Sequence, residues 1–250
     1  MDWKTALAQM ETGELRCANK VDGKWIANTE AKQAILSAFK AGELKEFSEE
    51  AFTGFVDKHN LPARKFTPKD NIRLVPGGSS VRAGSYVAAG VIIMPPAYIN
   101  VGAYVDEGSM VDSHALVGSC AQVGKNVHLS AAVQIGGVLE PIGASPVVIE
   151  DNCFVGAGAV IVEGIQVLEG AVIAPGVILS KGTPIYDAVN ERQVTDGIIP
   201  AGAVVVPGTR PVSAKLNWAK EMGLSLNCAI IVKYRDEKTD ESLKLEEFLR

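Results

Sequence analysis

The chain is short of the residues on which several kinds of chemistry depend. Among its 250 residues are three histidines and four cysteines. Cys17, Cys120, Cys153 and Cys228 form no CxxC pair and no histidine-rich spacing, so neither a zinc site nor a disulfide framework is suggested. Small, reduced, buried thiols are the simplest expectation. Aromatic residues make up only 6% of the chain, which leaves little material for a core built on large rings. No apolar stretch is long enough to span a membrane, and no basic-then-apolar segment resembles a signal peptide, so a cytoplasmic location is the default expectation. A formal net charge of −5 gives no case for non-specific binding to nucleic acid. The length allows a full core, in one or two domains.

What the chain has instead is a period. Stepping by six from Val75, an aliphatic residue occurs eleven times in succession, ending at Ile135. After a 14-residue step seven more follow, from Ile149 to Ile185, and a second 14-residue step leads to Ile199 and Val205. A fixed hexad predicts a parallel β-helix, with the aliphatic of each hexad pointing inward onto its counterparts in the neighbouring coils. Small residues such as Ser85, Ala97, Ala103 and Ala115 stand four places after the aliphatic and let a narrow prism close. Three places after it Gly recurs, as at Gly84, Gly102, Gly108, Gly158, Gly182 and Gly208, with Asn126 and Asn152 in the same slot. A corner needing positive φ explains both residue types. Three faces of one hexad each make an 18-residue coil, and 20 hexads make between six and seven coils. At strand spacing the prism is about 30 Å long.

Residues 1–70 lack the hexad and read as a helical domain with a hairpin-like break at Val21–Lys24. The clearest helix runs from Thr29 to Ala41, with Thr29 as N-cap, an apolar stripe of Ile35, Leu36 and Phe39, and Gly42 as the stop. The prism is assigned to 71–210. Its two long steps each equal one hexad plus eight residues, which predicts loops near Pro141–Val148 and Asn190–Ile198 that leave and re-enter in phase. Residues 211–250 read as a cap, with a strand over Asn227–Tyr234 and a short helix around Leu243–Leu249.

From Val111 to Glu140 the beat continues while the corner Gly disappears: His114, Cys120, Asn126, Ala132 and Val138 fill the slot in turn. Repeats that keep the core residue and lose the generic one are where a site is expected. Asp112 follows the inward Val111 directly, so it points outward on a coil face. His114 has an intrinsic pKa suited to a general base, but a corner with positive φ also tolerates His. The prism holds two histidines, His114 and His128, which do not make a three-histidine metal site, so no metal is expected. A covalent acyl-Cys120 is disfavoured for want of an activating base nearby.

The run INVGAYVDEGSMVDSHALVGSCAQVGKNVHLSAAVQIGGVLEP, followed by VVIEDNCFVGA, closely resembles the tetrahydrodipicolinate N-succinyltransferase family of bacterial lysine biosynthesis. IRLVPGG, PAGAVVVPG and NCAIIVKY also match, as does GELRCANKVDGKWIANTEAKQAIL near the N-terminus, so the resemblance covers nearly the whole chain. It implies a left-handed β-helix, a homotrimer with active sites between subunits, and transfer of succinyl from succinyl-CoA to the amine of opened or hydrated tetrahydrodipicolinate. It also implies substrate-contacting roles for Arg73, in IRLVPGG, and for Asp112, in SMVDSHA, and a pocket-shaping role for His114, which stands where the family commonly carries Trp.

An Arg suits a dicarboxylate because its guanidinium binds carboxylates bidentately. A carboxylate such as Asp112 can hold the acceptor ammonium and take its proton on attack. His128, in KNVHLS, is expected to support the groove. CoA is anionic, so Lys125, Lys181, Arg192 and Arg210 are candidates for binding it, with Lys181 preferred. Gly158 and Val160 stand where the family commonly carries Arg and Glu, and Pro184 where Arg is common. These departures leave open a paralogous N-acyltransferase that uses acetyl-CoA or another amino diacid, as in lactam toxin biosynthesis. A non-catalytic trimeric scaffold is the remaining alternative.

Overall fold

The computed structural model describes residues 1–47 and 55–236. Its centre is a prism of three parallel sheets built from two-residue rungs, and successive rungs of one sheet stand one coil apart, as in Met110↔His128 and Val111↔Leu129. The sheets are named here by one inward residue each. The Val111 face stacks Ile93, Val111, Leu129, Val155 and Ile173. The Val117 face stacks Val81, Ile99, Val117, Ile135, Ile161 and Leu179. The Val123 face stacks Val87, Val105, Val123, Ile149, Val167 and Ile199. These side chains form one continuous apolar core. Burying each contributes roughly 1.5–3 kcal/mol, and no other element supplies so regular a driving force.

The corners behave as expected where the prism is regular. Gly84, Gly102, Gly108 and Gly158 have φ between 68° and 77°. His114, Cys120, Asn126 and Ala132 hold the same left-handed conformation without being Gly, at φ 63°, 67°, 52° and 60°. Val138, Gly182 and Gly208 occupy the slot in the count but do not adopt positive φ. Each lies where the chain is leaving the prism: Gly208 is inside the extended strand Ala203–Pro211, and the other two begin excursions.

The hexad count errs at both ends. In the first rung Leu74, not Val75, pairs with Ile93, so the entering chain is offset by one residue. Ile72 and Leu74 pack on the core, and Arg73 lies between them on the outward side. At the far end it is Ile199 that pairs with Val167 on the Val123 face, while Ile185 pairs with Ala229 in the cap. A regular coil steps from Val105 to Val123, and the two excursions lengthen that step to Val123↔Ile149 and Val167↔Ile199. The first insertion has the expected length. The second is longer because residues 185–194 form an antiparallel hairpin, Ile185–Asp187 against Arg192–Val194, in place of an open loop.

The N-terminal segment contains more strand than the sequence suggests. Helix α1 (Trp3–Glu11) is capped by Asp2, and strands β1 (Ala18–Val21) and β2 (Lys24–Ala27) form the expected hairpin. Helix α2 spans Thr29–Ala41, and β3 (Leu44–Phe47) pairs antiparallel with β4 (Phe55–Lys58). The N-cap of α2 is Asn28, whose side chain accepts from Ala31 N at 3.1 Å, and not Thr29. The substitution Asn28→Ala is expected to cost about 1 kcal/mol, seen as a lower urea midpoint at unchanged slope. An unchanged midpoint would mean that packing, not the cap, sets the helix start. Leu7, Met10, Ile35 and Ala38 form a second apolar cluster, which the prism completes with Val101 and Cys120.

At the other end the strand Ala203–Pro211 continues the Val111 face and turns through helix α3 (Asn217–Glu221) into the strand Ser225–Tyr234. That strand, expected from Asn227, pairs antiparallel with Ala203–Pro211 and parallel with Ile185–Asp187. Ala229 and Ile231 join the prism core, so the cap plugs the last coil. The helix expected around Leu243–Leu249 lies outside the described residues.

Candidate active site on the Val111 face

Alternation along a rung decides what this face presents. Val111 is wholly buried, and Asp112, the next residue, turns outward with its side chain 30% exposed. Its backbone N donates to Leu129 O at 2.9 Å, and its Oδ1 accepts from Ser113 N at 2.7 Å. Its Oδ2 lies 3.9 Å from Nε2 of His128. His128 sits one coil on, opposite Met110, with its ring edge-on to Phe154 at 5.1 Å between centroids. The coil period thus joins two residues that are distant in sequence.

His114 is placed differently. It is an exposed corner residue whose N donates to Pro96 O at 2.7 Å and whose carbonyl accepts from Gln134 Nε2 at 3.1 Å. The imidazole found within 4 Å of the Asp112 carboxylate is that of His128. Below His114 the same corner runs through Ala132, Gly158 and Gly176, and a Cβ on either Gly would meet no atom within 4 Å. The corner is therefore open beside Gly158 and Gly176, with His114 exposed two coils before Gly158. Val160 lies on the adjoining face opposite Gln134.

Arg73 is exposed on the entering rung of the same face, two rungs from Met110–Val111. That separation is roughly 10 Å at ordinary strand spacing, which an extended Arg side chain and a small diacid can bridge. Lys181 stands elsewhere, past Leu179 on a late coil. Its N donates to Glu163 Oε2 at 2.9 Å, and it lines a cleft of about 540 Å³ with Thr183, Pro184, Gln193 and Asp196.

Two of the other cations are engaged, Lys125 with Glu107 at 3.5 Å and Arg192 with Asp187 at 3.2 Å. Arg210 is half-buried in the cap strand opposite Leu226, and its Nε makes no hydrogen bond to a described residue. Cys120 is buried under the N-terminal helices beside Cys17, and its hydrogen bond together with burial pushes the Cys17 thiol well up. An acyl donor cannot reach Cys120 there. Among the described residues no group of three or more His, Cys, Asp or Glu is arranged to hold a metal ion.

Sequence reasoning did not find how the N-terminal segment docks. Lys32 is fully buried, its Nζ donating to Ala144 O at 2.6 Å in the first excursion. The signal was its position three before Ile35 on the buried side of α2.

Family models match the chain twice, as the N-terminal region of tetrahydrodipicolinate N-succinyltransferase over residues 3–41 and as the hexapeptide repeat of succinyl-transferase over residues 146–181. A 2,3,4,5-tetrahydropyridine-2,6-dicarboxylate N-succinyltransferase of Ralstonia pickettii is 47% identical over 98% of this chain and 86% of its own length. The enzyme of the same name from Coxiella burnetii is 47% identical over 96% of this chain and 86% of its own. The chain belongs to the tetrahydrodipicolinate N-succinyltransferase family, a family of acyltransferases. The fold also matches a Campylobacter jejuni protein provisionally named a 2,3,4,5-tetrahydropyridine-2-carboxylate N-succinyltransferase, with a TM-score of 0.59 at 18% identity. The match covers 98% of this chain and 65% of that one, so the chain spans about two-thirds of that structure's length. Among the described residues no helix is long and apolar enough to cross a membrane.

Proposed function

We propose that the chain transfers succinyl from succinyl-CoA to tetrahydropyridine-2,6-dicarboxylate, giving N-succinyl-2-amino-6-oxopimelate, as a cytoplasmic enzyme of lysine and diaminopimelate biosynthesis that needs no metal. The observation that carries this reading is the near full-length identity to relatives of that name, combined with an outward, half-buried Asp112 on the central coil. Water opens the cyclic imine to an amine. The amine nitrogen attacks the thioester carbonyl, a C–N bond forms, the C–S bond breaks, and CoA leaves as a thiolate that takes up the proton Asp112 has received from nitrogen. Asp112 holds the acceptor nitrogen and takes the proton that it loses. Arg73 clamps a substrate carboxylate. His114 shapes the substrate pocket, and Lys181 meets a phosphate of CoA.

Free-thiol release tests this, with succinyl-CoA and acetyl-CoA each assayed with and without the dicarboxylate. Release that needs both succinyl-CoA and the dicarboxylate is the expected result. Preference for acetyl-CoA would favour the paralogous acyltransferase. Silence with every acceptor would favour a scaffold. The substitution Arg73→Lys is expected to weaken dicarboxylate binding at least tenfold with little change for CoA, because an ammonium cannot reproduce the bidentate contact. Equal losses for both ligands in calorimetry would remove Arg73 from the substrate site.

The reading extends to architecture. We propose three units, at 1–70, 71–210 and 211–250, a left-handed coil, and a homotrimer with sites between subunits. The N-terminal segment covers the Val123 face, where Arg16 stacks on Tyr104 and Gln166 bonds to Trp25 O. The Val117 face is left with an outward row of Tyr98, Leu116, Gln134, Val160 and Ile178, apolar except at Gln134, with Ile178 45% exposed. A largely apolar row on a rigid prism favours closed cyclic association.

A further inference from the structure

A second cavity, of about 280 Å³, lies between the β1–β2 hairpin and the Val123 face, apart from the Asp112 site. Arg16 and Trp25 wall it on the hairpin side, and Asp106, Gly124, Glu150 and Asp151 wall it on the prism side. The Arg16 guanidinium lies 3.8 Å over the Tyr104 ring and 5.1 Å from that of Trp25, and its Nε donates to Gln122 Oε1 at 3.0 Å. Stacking and that one bond fix the plane of the fork. Its two terminal nitrogens make no hydrogen bond to a described residue. Burial lowers the Arg16 pKa, while the charges of Tyr104, Asp106 and Asp151 act in the opposite direction.

The carboxylates divide into two kinds. Glu150 is spent on closing the hairpin, accepting from Lys20 Nζ at 2.5 Å, Trp25 Nε1 at 2.8 Å and Glu169 N at 3.0 Å. Asp151 gives Oδ1 to Lys125 N at 2.8 Å. Asp106 gives Oδ1 to Glu107 N at 2.8 Å and holds Oδ2 at 3.5 Å from Tyr104 OH. Each of these two retains acceptor capacity. Neither forms an ion pair with Arg16 within 4 Å among the described residues, so the cavity separates one guanidinium from two carboxylates. Gly124 puts no side chain on the floor, where a Cβ would run into Asp151.

We propose that this cavity binds a small α-amino acid carrying a second ammonium group. Its carboxylate lies in the Arg16 fork, and its ammonium groups reach Asp106 and Asp151. With Lys20 paired to Glu150, the lining keeps Arg16 against Asp106, Asp151 and Glu169, so a ligand of net charge +1 offsets part of the excess carboxylate. The volume equals about nine waters, close to the heavy-atom count of such a molecule. Because the walls come from both the hairpin and the prism, occupancy fastens the N-terminal segment to the coil.

L-ornithine is the probe, with 1,4-diaminobutane and pentanoate as half-probes lacking the carboxylate or the ammonium groups. Calorimetry on the full chain should give saturable binding of L-ornithine, with each half-probe at least tenfold weaker, and L-ornithine should raise Tm with dose. Asp151→Asn and Asp106→Asn should each weaken binding at least tenfold while the Tm without ligand stays near that of the parent. Arg16→Gln should do the same, and should it fail to fold the two Asp variants still decide the question. No saturable binding, equal affinity for L-ornithine and the diamine, or unchanged binding in both Asp variants would overturn the proposal.

Discussion

The substitution Asp112→Asn should lower kcat by on the order of 10² to 10⁴, the range set by loss of a positioned proton acceptor, while leaving the fold intact. The change is nearly isosteric. An Asn side-chain oxygen still accepts from Ser113 N, and the backbone bond from Asp112 N to Leu129 O does not involve the side chain. What is lost is the charge that holds an ammonium and receives its proton. Affinity for succinyl-CoA in calorimetry should therefore change little. His114→Asn is the contrasting variant, because Asn126 and Asn152 already hold this corner conformation at φ 52° and 59°. It should turn over within a few-fold of the parent if His114 shapes the pocket. Full activity in the Asp112 variant would remove the carboxylate from the chemistry, and a collapse in the His114 variant would make the imidazole the base.

The prism was legible because its core repeats one residue type at a fixed step, and each inward side chain needs only its neighbours one coil away. That same locality explains the two errors. Val75 and Ile185 carry the right residue type on the right count, yet pairing at the ends depends on how the chain enters and leaves. Leu74 meets Ile93 because the entering strand is offset, and Ile185 is drawn into the cap by Ala229. Neither contact leaves a trace in a six-residue period. Asp112 was legible as the neighbour of an inward residue. Its contact with His128 was latent in the period, since position 128 stands one coil above 110 and alternation puts 110 and 112 on the same side. Docking of the N-terminal segment was not legible. It depends on Arg16 finding Gln122, Trp25 finding Glu150 and Lys32 finding Ala144, and no sequence spacing encodes pairings so remote along the chain.

The acid behaviour of the cap should be set by Asp187. This carboxylate is buried at the turn of the excursion hairpin and accepts from Asn190 Nδ2 at 2.8 Å, Asn190 N at 3.1 Å, Tyr234 OH at 2.8 Å and Arg192 Nε at 3.2 Å. Burial alone would raise its pKa, but the hydrogen bonds from Asn190, Tyr234 and Arg192 outweigh burial and hold it at about 2, against an ordinary 3.8. A carboxyl whose folded pKa is depressed contributes stability that is complete above its unfolded value and is lost as pH falls through the folded one. For Asp187 that window runs from about pH 4 down to about pH 2. The substitution Asp187→Ala should cost on the order of 1–3 kcal/mol at neutral pH, because the Tyr234 hydroxyl, the Asn190 amide and the Arg192 guanidinium lose the charged acceptor that gathers them. The loss should appear in hydrogen exchange first over 185–194 and 225–234, whose pairing Asp187 ties together. As pH falls toward 2 the gap between parent and variant should narrow, since protonation removes from the parent what the variant already lacks. A gap that stays constant between pH 4 and pH 2 would show that the carboxylate charge is not what fastens the cap.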